Sequence, residues 1–224
     1  MSTGNLATES REVSNFNRVA LSDYGALAIT QGEQESLTIE THPDALPLIK
    51  TEVRNSKLTM SIGGSWLDKL SHALSTSLAR WPIKYSLVVK ELAGLEISGA
   101  ARVKASNIET DRLALALSGA GQINIEALSA GALEVALPGA GAIQVSGKVG
   151  EQRVAMSGAG SYKASKLESR RASVDLTGAG KATVWAVENL DVAIRGIGSV
   201  EYYGSPTLKK SVSGIGSITS LGDR

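Results

Sequence analysis

The 224-residue sequence contains no cysteine, one phenylalanine, two histidines and five prolines. Without cysteine there is no disulfide framework, no thiolate nucleophile and no Cys-ligated zinc. Aromatic residues make up only 4% of the chain, so its core has to be assembled from small aliphatic side chains in a regular lattice. An excess of one charge is lacking too. The 23 Lys and Arg and 22 Asp and Glu are interspersed, which removes the electrostatic basis for binding nucleic acid or an anionic membrane. No run reaches the ~18 apolar residues of a membrane span. The polar opening MSTGNLATESREVSNF lacks the apolar centre of a signal peptide.

What the sequence does have is 42% hydrophobic residues, enough for a folded core, and 24 glycines that recur with a period. Short motifs, SGAA, SGAG, PGAG, SGAG, TGAG, RGIG and SGIG, place Gly99, Gly119, Gly139, Gly158, Gly178, Gly196 and Gly214 at steps of 20, 20, 19, 20, 18 and 18 residues. Two residues before the glycine stand Ile97, Leu117, Leu137, Met156, Leu176, Ile194 and Val212. Four before it stand Leu95, Leu115, Val135, Val154, Val174, Val192 and Lys210, and four after it Val103, Ile123, Ile143, Tyr162, Ala182, Val200 and Ile218. Small and polar residues separate these columns, so the alternation has period two on both sides of the glycine, as strands require.

Each copy therefore reads as two short strands joined at a glycine-centred bend. Helical solenoids need a 3.6-residue period, leucine-rich repeats a different consensus, and propeller blades about twice this length. A parallel β-helix with one ~20-residue copy per turn fits, because like residues then stack at ~4.8 Å, and seven turns make a rod about 34 Å long. The bend favours glycine both for φ > 0 and for the absence of Cβ where neighbouring turns approach. The next residue is Ala100, Ala120, Ala140, Ala159 and Ala179, then Ile197 and Ile215. Pointing inward, it would give the last two turns more volume at the bend. Ile108, Leu128, Val149, Leu167 and Val187 are expected to form a third core wall, and Lys210 marks where the regular stack begins to end.

The first ninety residues read as irregular first turns of the same stack, with strands over 19–21, 27–30, 37–40 and 58–62. Residues 1–12 are expected to be a mobile tail. The β-helix domain then covers 13–221, irregular over 13–94 and regular over 95–221. Between Ser65 and Trp81, apolar residues at spacings of three and four, stopped by Pro82, predict a short amphipathic helix that covers the stack's end or flank, or meets a membrane or partner.

The stretch LAITQGEQESLTIETHPDALPLIKTEVRNSKLTMSI, then LVVKELAGLEISGAARV, then the serial SGAG and GIG motifs, resembles the head GIN domain family of putative auto-transporter adhesins, formerly a bacterial domain of unknown function. The likeness runs from about Phe16 to Leu221. It implies a right-handed, single-stranded parallel β-helix, commonly on exported or envelope-anchored bacterial proteins, and no catalytic residues to carry over. The expected location is the cell envelope, periplasm or exterior if an export signal has been trimmed, and the cytoplasm otherwise.

Catalytic signatures are scarce. The glycine triplets match neither GxGxxG followed by a helix nor a Walker A loop. His42 and His72 stand in no HExxH or Ser-His-Asp setting, and no GxSxG occurs. Glu96 and Asp175 would lie four turns, about 19 Å, apart, too far for a glycosidic pair. Glu168 and Glu188 occupy equivalent positions in adjacent turns, where neighbouring carboxylates could recruit a cation. No catalytic residue, cofactor or metal is otherwise expected.

The outward rows carry the functional reading. Ser118, Pro138, Ser157 and Thr177 precede the glycine, and Ala136 and Ala155 stand three before it, giving a flat Ser/Ala-rich face. The expected function is a non-enzymatic structural or adhesion-like module whose flat face meets a protein partner, a second copy, a surface or a glycan. A carbohydrate-active β-helix enzyme and a self-assembling scaffold are the alternatives.

Overall fold

Alternation with period two turns one set of side chains inward and the other outward, and the chain keeps it almost throughout. The structure, a computed structural model, describes residues 6–63 and 81–224. The first strands are β1 (Ala7–Arg11), β2 (Arg18–Leu21), β3 (Tyr24–Gln31), β4 (Ser36–Thr41), β5 (Ile49–Arg54), β6 (Lys57–Ile62), β7 (Lys84–Val89) and β8 (Gly94–Ile97). Long strands follow, β9 (Ala100–Leu117), β10 (Gln122–Leu137), β11 (Ala142–Met156), β12 (Ser161–Leu176) and β13 (Ala179–Ile194). The chain ends in β14 (Ile197–Tyr203), β15 (Thr207–Val212) and β16 (Ile215–Ser220).

These strands wind as an all-β parallel solenoid of about six turns. Val103, Ile123, Ile143, Tyr162, Ala182, Val200 and Ile218 are register partners in succession, at the steps read from the sequence. Leu95 and Leu115 open a second ladder that runs through Val135, Val154, Val174 and Val192 to Lys210. Its members up to Val192 are buried, and Lys210 is exposed on the last turn. Each such aliphatic side chain contributes about 1.5–3 kcal/mol.

The glycine bend works by proximity. None of the motif glycines adopts a positive φ. Instead, a Cβ on Gly119, Gly139, Gly158, Gly178, Gly196 or Gly214 would fall 2.0–2.2 Å from the carbonyl oxygen of the glycine one turn earlier. That oxygen accepts a hydrogen bond from the next turn, as in Ala140 N to Gly119 O at 3.1 Å. The ladder can close only where no side chain begins.

Several expectations need correction. The alanine after the glycine is exposed in every turn, as are Ile197 and Ile215, because the alternation passes through the bend unbroken and residues an odd number of places from the glycine stay outside. The third wall is irregular. Leu128 stacks on Ile108, but its other neighbour is Gly147, and Val149 lies against Ala130 and Ser169. Register shifts accumulate on this side, and Val187 is 47% exposed. The tail expected over 1–12 is not free at Ala7–Arg11, which pairs antiparallel with β4 from Ala7 opposite Thr41 to Arg11 opposite Leu37. The helix expected at 65–81 lies, apart from Trp81, outside the described residues.

At the amino-terminal end β2 and β3 extend the parallel stack onto β8 and β9. There β1, β4 and β5 pair antiparallel, β5 with β6 through a two-residue turn at Asn55 and Ser56, both at positive φ (50° and 58°).

One polar cluster sits inside the aliphatic stack. Tyr162 OH donates to Gln152 Oε1 (3.0 Å), Gln152 Nε2 donates to Ser169 Oγ (2.8 Å), and Ser169 Oγ donates to the Trp185 carbonyl (2.6 Å). Tyr162, Gln152 and Ser169 are all fully buried. Room for the ring comes from small register partners, with Ala182 beside Tyr162, Ala172 beside Gln152 and Ala186 beside Ser169.

Candidate binding faces

The outward row three residues before the glycine is a true ladder, with Glu96, Ala116, Ala136, Ala155, Asp175, Ala193 and Ser211 stacked in register. Ala136 and Ala155 are exposed, as are Ser118, Pro138, Ser157 and Thr177 in the row beside them. The structure thus brings the six sequence-selected residues onto one face. Its hydroxyls are partly turned back: Ser118 Oγ donates to Ile97 O (3.4 Å) and Thr177 Oγ1 to Met156 O (3.5 Å). What remains outside is smooth and small-chained, with a shallow depression of about 690 Å³ bordered by Ala116, Ala136, Ala155, Glu134 and Arg153.

Charges around this face are neutralised locally. Glu96 pairs with Lys57 (2.8 Å), Glu134 with Arg112 (2.8 Å), Arg153 with Glu151 (3.0 Å) and Asp175 with Arg195 (3.0 Å). Such exposed pairs contribute ~0–1 kcal/mol each to stability. Most of the charge along this face is thereby matched locally, while Arg18 at its border donates to the Asn55 carbonyl and keeps its positive charge.

The other sequence candidate does not assemble. Two register shifts intervene between Lys163 and Arg171, so Glu168 lies opposite Trp185 and not Glu188. Glu168 instead holds Lys148 at 2.7 Å. Among the described residues no group of three or more His, Asp or Glu is placed to bind a metal ion. His42 stacks on Trp81 with ring centroids 4.6 Å apart, and His72 lies outside the described residues.

Sequence reasoning missed a second feature. The outward alanines form the floor of a lengthwise trough of about 1190 Å³, deepened by Gly121, Gly141, Gly160 and Gly180 and bordered at its amino-terminal end by Tyr24 and Trp81. Burial and the adjacent Asp23 carboxylate raise the Tyr24 pKa, so its hydroxyl stays neutral at that end. Ile197 (60% exposed) and Ile215 (74% exposed) continue the alanine column at the other end.

The family model described as "Putative auto-transporter adhesin, head GIN domain" matches residues 15–206. The chain belongs to this head GIN domain family. Its fold is that of a putative adhesin from Bacteroides fragilis, at 26% identity, with 97% of each chain covered and a TM-score of 0.86. A putative adhesin from Parabacteroides distasonis shares the fold at 19% identity, 98% of each chain and a TM-score of 0.72. So does a protein from the same species named a putative lipid binding protein, at 21% identity, 98% of each chain and a TM-score of 0.68. No curated protein matches the sequence. Among the described residues no helix of this head GIN domain is long and apolar enough to cross a membrane.

Proposed function

We propose that this head GIN domain is a non-enzymatic adhesion module, displayed at a bacterial cell envelope, that docks a surface or glycan on its flat Ser/Ala face. The observation carrying this reading is the in-register Ala116–Ala136–Ala155 ladder beside exposed Ser118, Pro138, Ser157 and Thr177, with most of the nearby charges already paired. Flat faces bind through contact area rather than through a pocket. A right-handed coil is part of the proposal, since crossovers between parallel strands are overwhelmingly of that hand.

Replacing Ala136 by Arg places a long charged side chain in the middle of this face while touching nothing in the core. Binding of the purified chain to cells or to a glycan array is expected to fall at least about tenfold, the effect of losing roughly 1.4 kcal/mol. The melting temperature should stay unchanged, because Ala136 is exposed. A variant that binds as well as the parent overturns the assignment of this face. The trough gives a second reading, favoured by its concavity and by the Tyr24 and Trp81 rings at its end. Ala140→Arg in its floor distinguishes the two, for it should impair binding only if the trough is the contact.

A further inference from the structure

Among the described residues the sheets of this solenoid end in four open strands, and they are not alike. One side runs from β1 to β16, the other from β5 to β15. β1 carries Glu9 and Arg11, β5 carries Lys50, Glu52 and Arg54, and β15 carries Lys209 and Lys210. Charged residues on an edge strand oppose pairing with another chain. β16 reads Ile215-Gly216-Ser217-Ile218-Thr219-Ser220 and has neither charge nor proline.

We propose that two copies of this chain join end to end through antiparallel pairing of their β16 strands, forming a closed two-fold dimer. The amino-terminal end cannot serve as the partner surface, because β1, β4 and β5 finish it with antiparallel strands and charged edges. A head-to-tail filament is therefore disfavoured, and the uncharged edge that matches β16 is β16 itself. The carboxy-terminal end also leaves core columns uncovered. Val212 is 46% exposed although its ladder neighbour Ile194 is fully buried, and Ile218 is partly exposed although its neighbour Val200 is fully buried.

A two-fold axis normal to the sheet at Ser217 sets Ser217 opposite its own copy, Gly216 opposite the partner's Ile218 and Ile215 opposite the partner's Thr219. Directly opposed residues of an antiparallel pair point to the same face, so both Ile218 side chains remain on the core side. The same operation carries β15 over the side of the partner on which Asp223 sits, held by Ser205 Oγ at 2.7 Å. Among the described residues Lys209 and Lys210 have no ion-pair partner. The segment they approach carries Asp223 and Arg224, and the Arg224 guanidinium is turned back over the Tyr203 ring at 4.9 Å, which leaves the Asp223 carboxylate as the charge of opposite sign on that side.

The absence of native cysteine makes the test specific. Residues facing each other across antiparallel strands have Cα atoms about 4.5–5.5 Å apart, within disulfide range. On mild oxidation Ser217→Cys should run mostly as a covalent dimer, whereas Ser199→Cys, one turn inward in the same row, should not. In sedimentation across the micromolar range the parent should be a dimer and Ser217→Lys a monomer with the parent's circular dichroism and melting temperature. A monomeric parent, a ladder of higher oligomers, or equal cross-linking of the two cysteine variants overturns the proposal.

Discussion

Replacing Gly139 by alanine is expected to destabilise the chain by at least about 3 kcal/mol, although the change adds a single methyl group. The added carbon would lie 2.2 Å from Gly119 O and 2.6 Å from Ser118 O, both backbone atoms that no rotamer change can move. Relief requires the two turns to part by about an ångström, since even close carbon-to-oxygen contacts lie near 3.3 Å. Parting them stretches the 3.1 Å bond from Ala140 N to Gly119 O and the ladder bonds beside it. Gly139→Val should be worse. For a chain of this size 3 kcal/mol corresponds to a fall in melting temperature of very roughly 10 °C, measurable by calorimetry. The neighbouring Ala140→Ser adds an atom on the exposed side and should change stability by no more than about 0.5 kcal/mol. Equal melting temperatures for Gly139→Ala and the parent would contradict the packed carbonyl ladder.

That ladder shows how much of the fold was legible beforehand. The columns of Val103 and Leu95 stack as the spacing implies, because a side chain either meets the next turn's apolar side chain or faces water. The same parity, carried through the glycine, puts Ala120 and Ala140 outside. Considering the residue after the glycine as an inward one is what hid the trough. The antiparallel strands at the amino-terminal end were not legible as such, since β4 and β7 show the same alternation whichever way they run. Nor were the register shifts of the third wall, where Gly147 at φ 126° lets the chain slip past Leu128. Of the candidate residues, Ala136, Ala155 and their hydroxyl neighbours come together because they depend only on the regular sides. Glu168 and Glu188 fail to do so because their equivalence depended on the side that slips.

Raising the pH above about 10 is expected to destabilise the protein steeply, through two buried tyrosines. Burial raises the pKa of Tyr162, and burial followed by the nearby charge of Asp23 and the neighbouring Tyr24 raises that of Tyr85. Each phenol is neutral in both folded and unfolded chains below about pH 10, so its contribution is complete there. Above that pH the unfolded chain releases the proton and the folded chain keeps it. Unfolding is then favoured by about 1.4 kcal/mol per pH unit for each tyrosine, until the folded pKa is passed. Urea unfolding between about pH 8 and 11.5 measures the slope. Tyr162→Phe separates this effect from the loss of lysine charge that accompanies it. At neutral pH the variant should be less stable by about 1–3 kcal/mol, because Gln152 Oε1 loses the hydroxyl that donates to it at 3.0 Å. Above pH 10 the variant has one fewer buried proton to hold, so its curve should fall less steeply and approach that of the parent. Parallel curves over that range would mean that the Tyr162 hydroxyl reaches solvent, and that the polar cluster inside the stack is open.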